Sequence, residues 1–347
     1  MRVYAGMSDR VSLRDTIAYA QRVEALGYDG LHVPETVHDG LAASLLALEH
    51  TSTLTVRTSV IVAFPRSPML TAYAAWDLAA FSSGRFQLGL GTQIKPNIEG
   101  RYSVAWTDPV TRMRDYVESL RAIWRSFQNG VPLTYESTNY QFSRLQPFFN
   151  PGPLSVTRPT IWLGGVNEGM VRLAGSHADG IVTHPTNSNP RYLREICLPS
   201  LREGEAIAGR EPDSTEIVSG SQYITGPTPA DVQRNREHHR RLLAFLYSTP
   251  AYRRTLTLHG WQDLGERLQT LTRTQQWGTL HEHITDEVID TLVPQGTWDE
   301  LPQVIAHWFG DLTDGVILPL PEDPANDTRF AETIAAVQQI TRRLEKR

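Results

Sequence analysis

The chain predicts an α/β fold, a single (β/α)8 or TIM barrel with insertions after strands 4 and 7. Three observations carry that expectation. Short apolar runs alternate with segments of helical period along the chain, the pattern of a parallel sheet with right-handed crossovers. The length of 347 residues suits one barrel of about 250 residues enlarged by insertions. The run FQLGLG at 86–91 places glycines inside an apolar strand, as a parallel strand does when something approaches its backbone near the carboxyl end.

The elements follow in order. A strand is expected at 2–6. Ser12 then caps a helix running to about Ala25, with Leu13, Ile17, Ala20 and Val23 on one face. Gly27 closes that helix before strand two at 31–33, and a polar loop at 34–40 leads into a helix over 41–48. Strand three is expected as one piece over 54–62, followed by a loop at 63–68 and a helix over 69–81. After strand four, GLGTQIKPNIEG shows no helix start, and the next helix is expected over 108–127. Its inner face carries Met113, Val117, Leu120, Ile123 and Trp124. Residues 130–159 have neither period and are expected to lie across the barrel mouth as an excursion. Strand five at 160–163 and strand six at 180–183 are each followed by a helix, the second over 192–208. Strand seven is expected over 217–225, then a basic helix over 229–247 and a mostly helical insertion at 248–300. In that insertion Trp261, Leu264, Leu268 and Leu271 recur at helical spacing. Strand eight at 315–318 and a helix over 329–345 complete one domain spanning 1–347.

Composition narrows the function classes. The net charge of −5 leaves no basic footprint for nucleic acid. Cys197 is the sole cysteine, which excludes a disulfide framework within the chain and a Cys-based zinc site. The N-terminal MRVYAGMSDR lacks an apolar leader and no run reaches membrane-spanning length, so a cytoplasmic, soluble protein is expected.

Barrel logic puts the chemistry at the carboxyl ends of the strands. Gly164-Gly165 lies between strand five and a helix start, where free amides can receive a phosphate and absent side chains permit close approach. A tight turn with no ligand explains the same pair equally well. Thr183 and His184 end the next strand and can add a hydroxyl and an imidazole. Glu35, Thr36 and His38 follow strand two at the same face. Glu35 is a candidate proton carrier or a solvated loop carboxylate, and His38 titrates near neutrality if it faces the site. No metal set is expected: HEHITDE offers His281 and His283 without a partner, and His238-His239 falls on a charged helix. Gly-x-Ser-x-Gly and Walker patterns are missing, and the spacing after strand four is not that of a Rossmann site.

Five segments taken together resemble the luciferase-like monooxygenase superfamily, and within it the coenzyme F420-dependent oxidoreductases. They are ALGYDGLHVPE at 25–35, RTSV at 57–60 with RSP at 66–68, SGRFQLGLGT at 83–92, IWLGG at 161–165 and ADGIV at 178–182. The resemblance implies a TIM barrel holding a deazaflavin or flavin ring at the strand ends. It implies a non-prolyl cis peptide at Ser59-Val60, in a bulge against which the ring packs. It further implies phosphate binding at Gly164-Gly165, neighbouring contacts from Thr183 and His184, and a pocket wall from Gly91, Thr92 and Asn97. The F420 enzymes carry an Asp-His pair after strand two, where this chain has Glu35-Thr36, so the acid is Glu35 or His38. The resemblance thus implies hydride transfer between coenzyme F420 and a small organic substrate, in a homodimer. The alternatives are an FMNH2-dependent two-component monooxygenase, with FMN as the cofactor, and a non-catalytic flavin- or deazaflavin-binding protein.

Overall fold

The computed structural model describes residues 1–345. Among them, eight parallel strands close into a barrel: β1 (Arg2–Gly6), β2 (Gly30–Val33), β3 (Thr55–Thr58, resuming at Ile61–Val62), β4 (Phe86–Gly91), β5 (Thr160–Gly165), β6 (Gly180–Thr183), β7 (Glu216–Ser219) and β8 (Gly315–Leu318). Each pairs with the next, and β8 returns to β1 with Arg2 opposite Gly315.

The principal helices start where short polar side chains can accept the orphan amides of a first turn. Asp39 caps α2 (Gly40–Glu49), Ser67 caps α3 (Pro68–Phe81), Asp108 caps α4 (Pro109–Asn129) and Asn167 caps α5 (Glu168–His177). The helix after β6 runs through a π-helical turn at Leu193–Cys197 into α6 (Leu198–Ile207). Thr228 and Asp231 form a reciprocal capping box on α7 (Pro229–Tyr247). The first helix, α1 (Thr16–Ala25), starts four residues beyond Ser12, because the Ser12 and Asp15 side chains bond each other at 2.6 Å and close a separate turn. The last helix, α8 (Asp327–Gln338), stops short of 345. There Arg343 turns inward, 7% exposed, and donates to Asp314 at 3.0 Å, which closes the barrel bottom.

Strand three is not one piece. The Ser59-Val60 peptide is cis, and the chain bulges between Thr58 and Ile61. The Thr58 hydroxyl replaces the lost ladder, accepting from the Gly89 amide at 2.8 Å and donating to the Gly89 carbonyl at 2.9 Å. This explains the glycines of β4. A Cβ at Gly89 would lie 1.8 Å from the Thr58 carbonyl oxygen, and one at Gly91 would lie 2.3 Å from Val60 Cγ2. The close visitor to β4 is therefore the bulge of its own neighbour.

Three further expectations are corrected. A short helix, Lys95–Gly100, does follow β4. The apolar run at 217–225 is two strands: β7 ends at Ser219, and Ile224–Gly226 pairs with Gln295–Thr297 in a separate sheet. Gly220 makes the break, with its amide held by Thr183 Oγ1 at 3.1 Å. Finally, residues 130–159 do not cover the mouth. They fold as a clasp along the outside of α3 and α4, with a hairpin of Tyr135–Glu136 and Gln141–Phe142. Tyr135 donates to Glu118 at 2.9 Å, Asn139 to Asp115 at 2.8 Å, and Trp76 to the Gly152 carbonyl at 3.1 Å.

The insertion at 248–300 is helical as expected, and with 224–247 it builds its own hydrophobic core. Leu243, Tyr247, Leu256, Leu268, Ile284 and Ile289 meet there, apart from the barrel core. Trp261, Leu264 and Leu271 pack at its edge, as their spacing foretold. This cap is tied to the loop after β6, where the Thr186 carbonyl accepts from Tyr247 at 3.0 Å and Thr255 at 2.6 Å. No helix among the described residues is long and apolar enough to cross a membrane.

Candidate functional site

A cleft of about 660 Å³ opens at the carboxyl ends of the strands, mostly apolar, with polar groups at its edges. Nine of the eleven residues singled out in the sequence line it: Glu35, Ser59, Val60, Gly91, Thr92, Gly164, Gly165, Thr183 and His184. His38 and Asn97 do not.

The floor is Val60. Its side chain rests between Gly91 and Gly164, where a Cβ would stand 2.3 Å and 3.2 Å from its methyl groups. With no side chains on either flank, the bulge presents a low apolar platform. Behind it stands Glu35, which accepts from the Val62 amide at 2.7 Å with one oxygen and from Arg66 with the other. Arg66 also reaches Asp39 at 3.0 Å. Both oxygens of Glu35 are thus engaged in holding the second half of β3.

Opposite the platform, β5 ends in Gly164-Gly165 and α5 begins. Asn167 takes the Met170 amide, which leaves the amides of Glu168 and Gly169 without an intramolecular acceptor among the described residues. The positive end of the helix dipole adds to those donors. Glu168 is the one carboxylate at this end, and Arg254 of the cap pairs with it through Nε at 3.1 Å. The cap thereby sets a cation beside the charge that would repel an anion there. A Cβ at Gly165 would meet Ile181 at 3.0 Å, so that glycine serves helix–strand packing as well as the turn.

His184 stacks on Tyr252 of the cap, with centroids 4.3 Å apart and planes 14° from parallel. Its Nδ1 accepts from the Thr186 amide at 3.3 Å, and burial lowers its pKa to about 4, so the ring is neutral at pH 7. Thr183 Oγ1 bonds Ser188 Oγ at 2.6 Å and supports the start of the next loop.

The wall residues that escaped the sequence reading include Gln93, Lys95, Trp106 and Tyr252. Gln93 has φ +60, a left-handed conformation uncommon outside glycine. Its side-chain oxygen accepts from the Ile94 amide and from Asn97, both at 3.0 Å. Asn97 therefore sits behind the wall and anchors Gln93 rather than facing the cleft itself. Trp106 is set by Arg112, which lies over Phe64 at 4.6 Å and donates to the Ala105 carbonyl at 2.8 Å. A Gln or Trp in a loop carries no spacing signal, and Tyr252 reaches the cleft only because the cap folds back. Among the described residues no cluster of three or more His, Cys, Asp or Glu could hold a metal ion.

Residues 1–315 match the family model described as luciferase-like monooxygenase. An uncharacterized protein of Mycobacterium tuberculosis is 38% identical over 298 residues, covering 86% of this chain and 87% of that one. The 5,10-methylenetetrahydromethanopterin reductase of Archaeoglobus fulgidus is 26% identical over 289 residues, 82% of each chain. Solved structures share the fold. The coenzyme F420-dependent tetrahydromethanopterin reductase of Methanopyrus kandleri has a TM-score of 0.75 at 18% identity, covering 98% of both chains. The oxygenating constituent of 3,6-diketocamphane monooxygenase from Pseudomonas putida, in complex with FMN, has a TM-score of 0.70 at 15% identity, covering 99% of this chain and 98% of that one.

Proposed function

The chain belongs to the luciferase-like monooxygenase family, and from that premise we propose that it is a coenzyme F420-dependent oxidoreductase acting on a small organic substrate. The observation that carries the reading is the pairing of the Val60 platform with the free Glu168 and Gly169 amides in the first turn of α5 across one cleft. A planar ring fits the first and a phosphate the second. The reductase of Archaeoglobus fulgidus, similar over most of the chain, favours reduction over oxygenation. When bound, the deazaflavin supplies a hydride at C5.

The residues of this chain then bind, orient and exclude water. Ser59 and Val60 carry the ring, while Gly91 and Thr92 leave room along its edge. Gly164, Gly165 and the amides of Glu168 and Gly169 hold the phosphate, with Thr183 and His184 beside it. Trp106 and Tyr252 wall the cleft from solvent. Of the two candidate acids, Glu35 lines the cleft and His38 does not. In this reading Glu35 first holds the bulge. It exchanges a proton with substrate at Oε1 only when Arg66 turns toward its second partner, Asp39.

Spectral titration with F420 and with FMN tests the proposal. Saturable binding of F420 with none of FMN is expected. FMN binding alone would move the protein to the two-component monooxygenases, and binding of F420 without turnover of any reducible substrate would leave a carrier protein. Gly169→Glu puts a carboxylate on the first turn of α5 and should weaken F420 binding about tenfold, less at high salt.

A further inference from the structure

One charge on the cleft wall has no part in the chemistry above. Among the described residues that line the cleft, Lys95 is the single cation and Glu35 the single acid, and Glu35 is already held by Arg66. Of the chain's 33 lysines and arginines only Lys95 and Lys346 are lysine, and Lys346 lies outside the described residues. The arginines serve as forks between fixed partners. Arg22 joins Asp327 to the Pro321 carbonyl, Arg112 joins the Ala105 and Phe64 carbonyls, and Arg236 joins Asp286 to Asp290. Lys95 is built differently. Its ammonium pairs with Glu99 at 3.9 Å, and the two side chains are 61% and 48% exposed. So loose and exposed a pair adds little to stability, and an incoming anion can take the place of Glu99 at little cost.

The segment that carries Lys95 is tied down at both ends. At its start Gln93 takes the left-handed conformation, φ +60, and braces it by accepting from the Ile94 amide and from Asn97. The short helix Lys95–Gly100 then leads to Arg101, which donates to the Thr36 carbonyl after β2 at 2.7 Å. In the barrel β3 lies between β2 and β4, so residues 93–101 bridge the strand that carries Val60. They lead away from β5 and from the free amides of Glu168 and Gly169. The cleft that Lys95 borders is otherwise mostly apolar, with Pro34, Ile94, Trp106 and Val110 in its lining. Phe64 backs Trp106 edge-on at 6.1 Å.

We propose that Lys95 is a specificity-determining residue that selects substrates carrying a carboxylate on an apolar body. The inference deepens the proposed reading and rests on it, since it assigns the substrate that lies beside the ring. A single ammonium supplies one positive charge and three donors, which one carboxylate satisfies. A doubly charged phosphate would keep an uncompensated charge in a mostly apolar cleft. The apolar lining takes the body of the substrate by burial, and the ammonium fixes which end of it faces the mouth. Glu99 is then a competitor held in place, which the substrate carboxylate displaces from Lys95.

A matched pair of probes tests this. Phenylacetate and phenylacetamide are alike in shape and differ in charge. Their dissociation constants are measured by equilibrium dialysis against F420-loaded protein, or FMN-loaded protein if FMN is what binds. The wild type should hold the acid about tenfold tighter than the amide. Lys95→Gln should bring the two within about twofold, and Glu99→Gln should tighten the acid about threefold without moving the amide. Equal affinities in the wild type, binding of neither probe, an acid preference that survives Lys95→Gln, or an acid affinity unmoved by Glu99→Gln each overturns the inference and leaves the cofactor reading intact. Lys95→Gln that weakens F420 binding with the probe ratio unchanged assigns Lys95 to the cofactor and overturns the inference as well. Protein that binds neither F420 nor FMN, found before any probe is added, overturns the reading and the inference together.

Discussion

Two irregular segments interrupt the barrel, and they behave in opposite ways. The clasp at 130–159 has no core of its own. Leu133 is buried, and Tyr135, Tyr140, Phe142, Leu145 and Leu154 pack against the barrel core. A segment of that kind can only lie flat on what it packs against, and it ends on the helices, away from the cleft. The cap at 224–297 closes twelve buried residues around a second core. It can therefore stand above the strand ends and bring Tyr252 to the cleft and Arg254 to the first turn of α5. Reach over a site requires a body that can hold its own shape.

Three measurements press on this comparison. The largest effect is expected from Leu256→Asp, which buries an unpaired charge in the second core at a cost of about 4 kcal/mol. The cap should melt in a separate, earlier transition while the barrel transition persists in calorimetry. A single lowered transition would show that cap and barrel unfold as one unit, and the contrast would fail.

The seam between the two bodies responds to acid. His184 has a folded pKa of about 4 against 6.5 in the unfolded chain. Its contribution is complete above pH 6.5 and is lost as pH falls toward about 4, because the unfolded chain takes up the proton first. At about 1.4 kcal/mol per pH unit this amounts to roughly 3 kcal/mol. Denaturant midpoints measured from pH 7 to pH 4 should fall, and His184→Gln should flatten the fall. An unchanged slope in that variant would place the acid sensitivity in buried His32 instead.

The smallest effect is expected from Leu133→Ala in the clasp. It should lower stability by about 2 kcal/mol in urea titration and leave cofactor affinity unaltered. A changed affinity would mean that the clasp reaches the site after all.

Much of the barrel was legible in the sequence because each βα unit is locally self-consistent. Apolar runs of strand length, helical spacing such as that of Met113, Val117 and Leu120, and glycine at Gly27 with φ +83 announce their elements without distant help, whereas the one cap read from the sequence, Ser12, closes a separate turn. Most of the candidate site was legible for the same reason, since strand ends are where these residues must sit. The Ser59-Val60 cis bond was reached only through the family resemblance, and it is present.

The chain's own pattern thus determined the eight strands, the crossovers and the face on which the cleft opens, because local period and capping act over a few residues. Tertiary structure decided the rest, because those questions turn on contacts between distant segments. It broke β3 and let Thr58 and the β4 glycines repair the ladder. It engaged Glu35 with Arg66, withdrew Asn97 behind Gln93, carried Tyr252 to His184 and buried Arg57 against Gln87 and Trp162. All but the Asn97–Gln93 bond depend on a partner between 30 and 105 residues away, and the closed barrel with its cap brings such partners together.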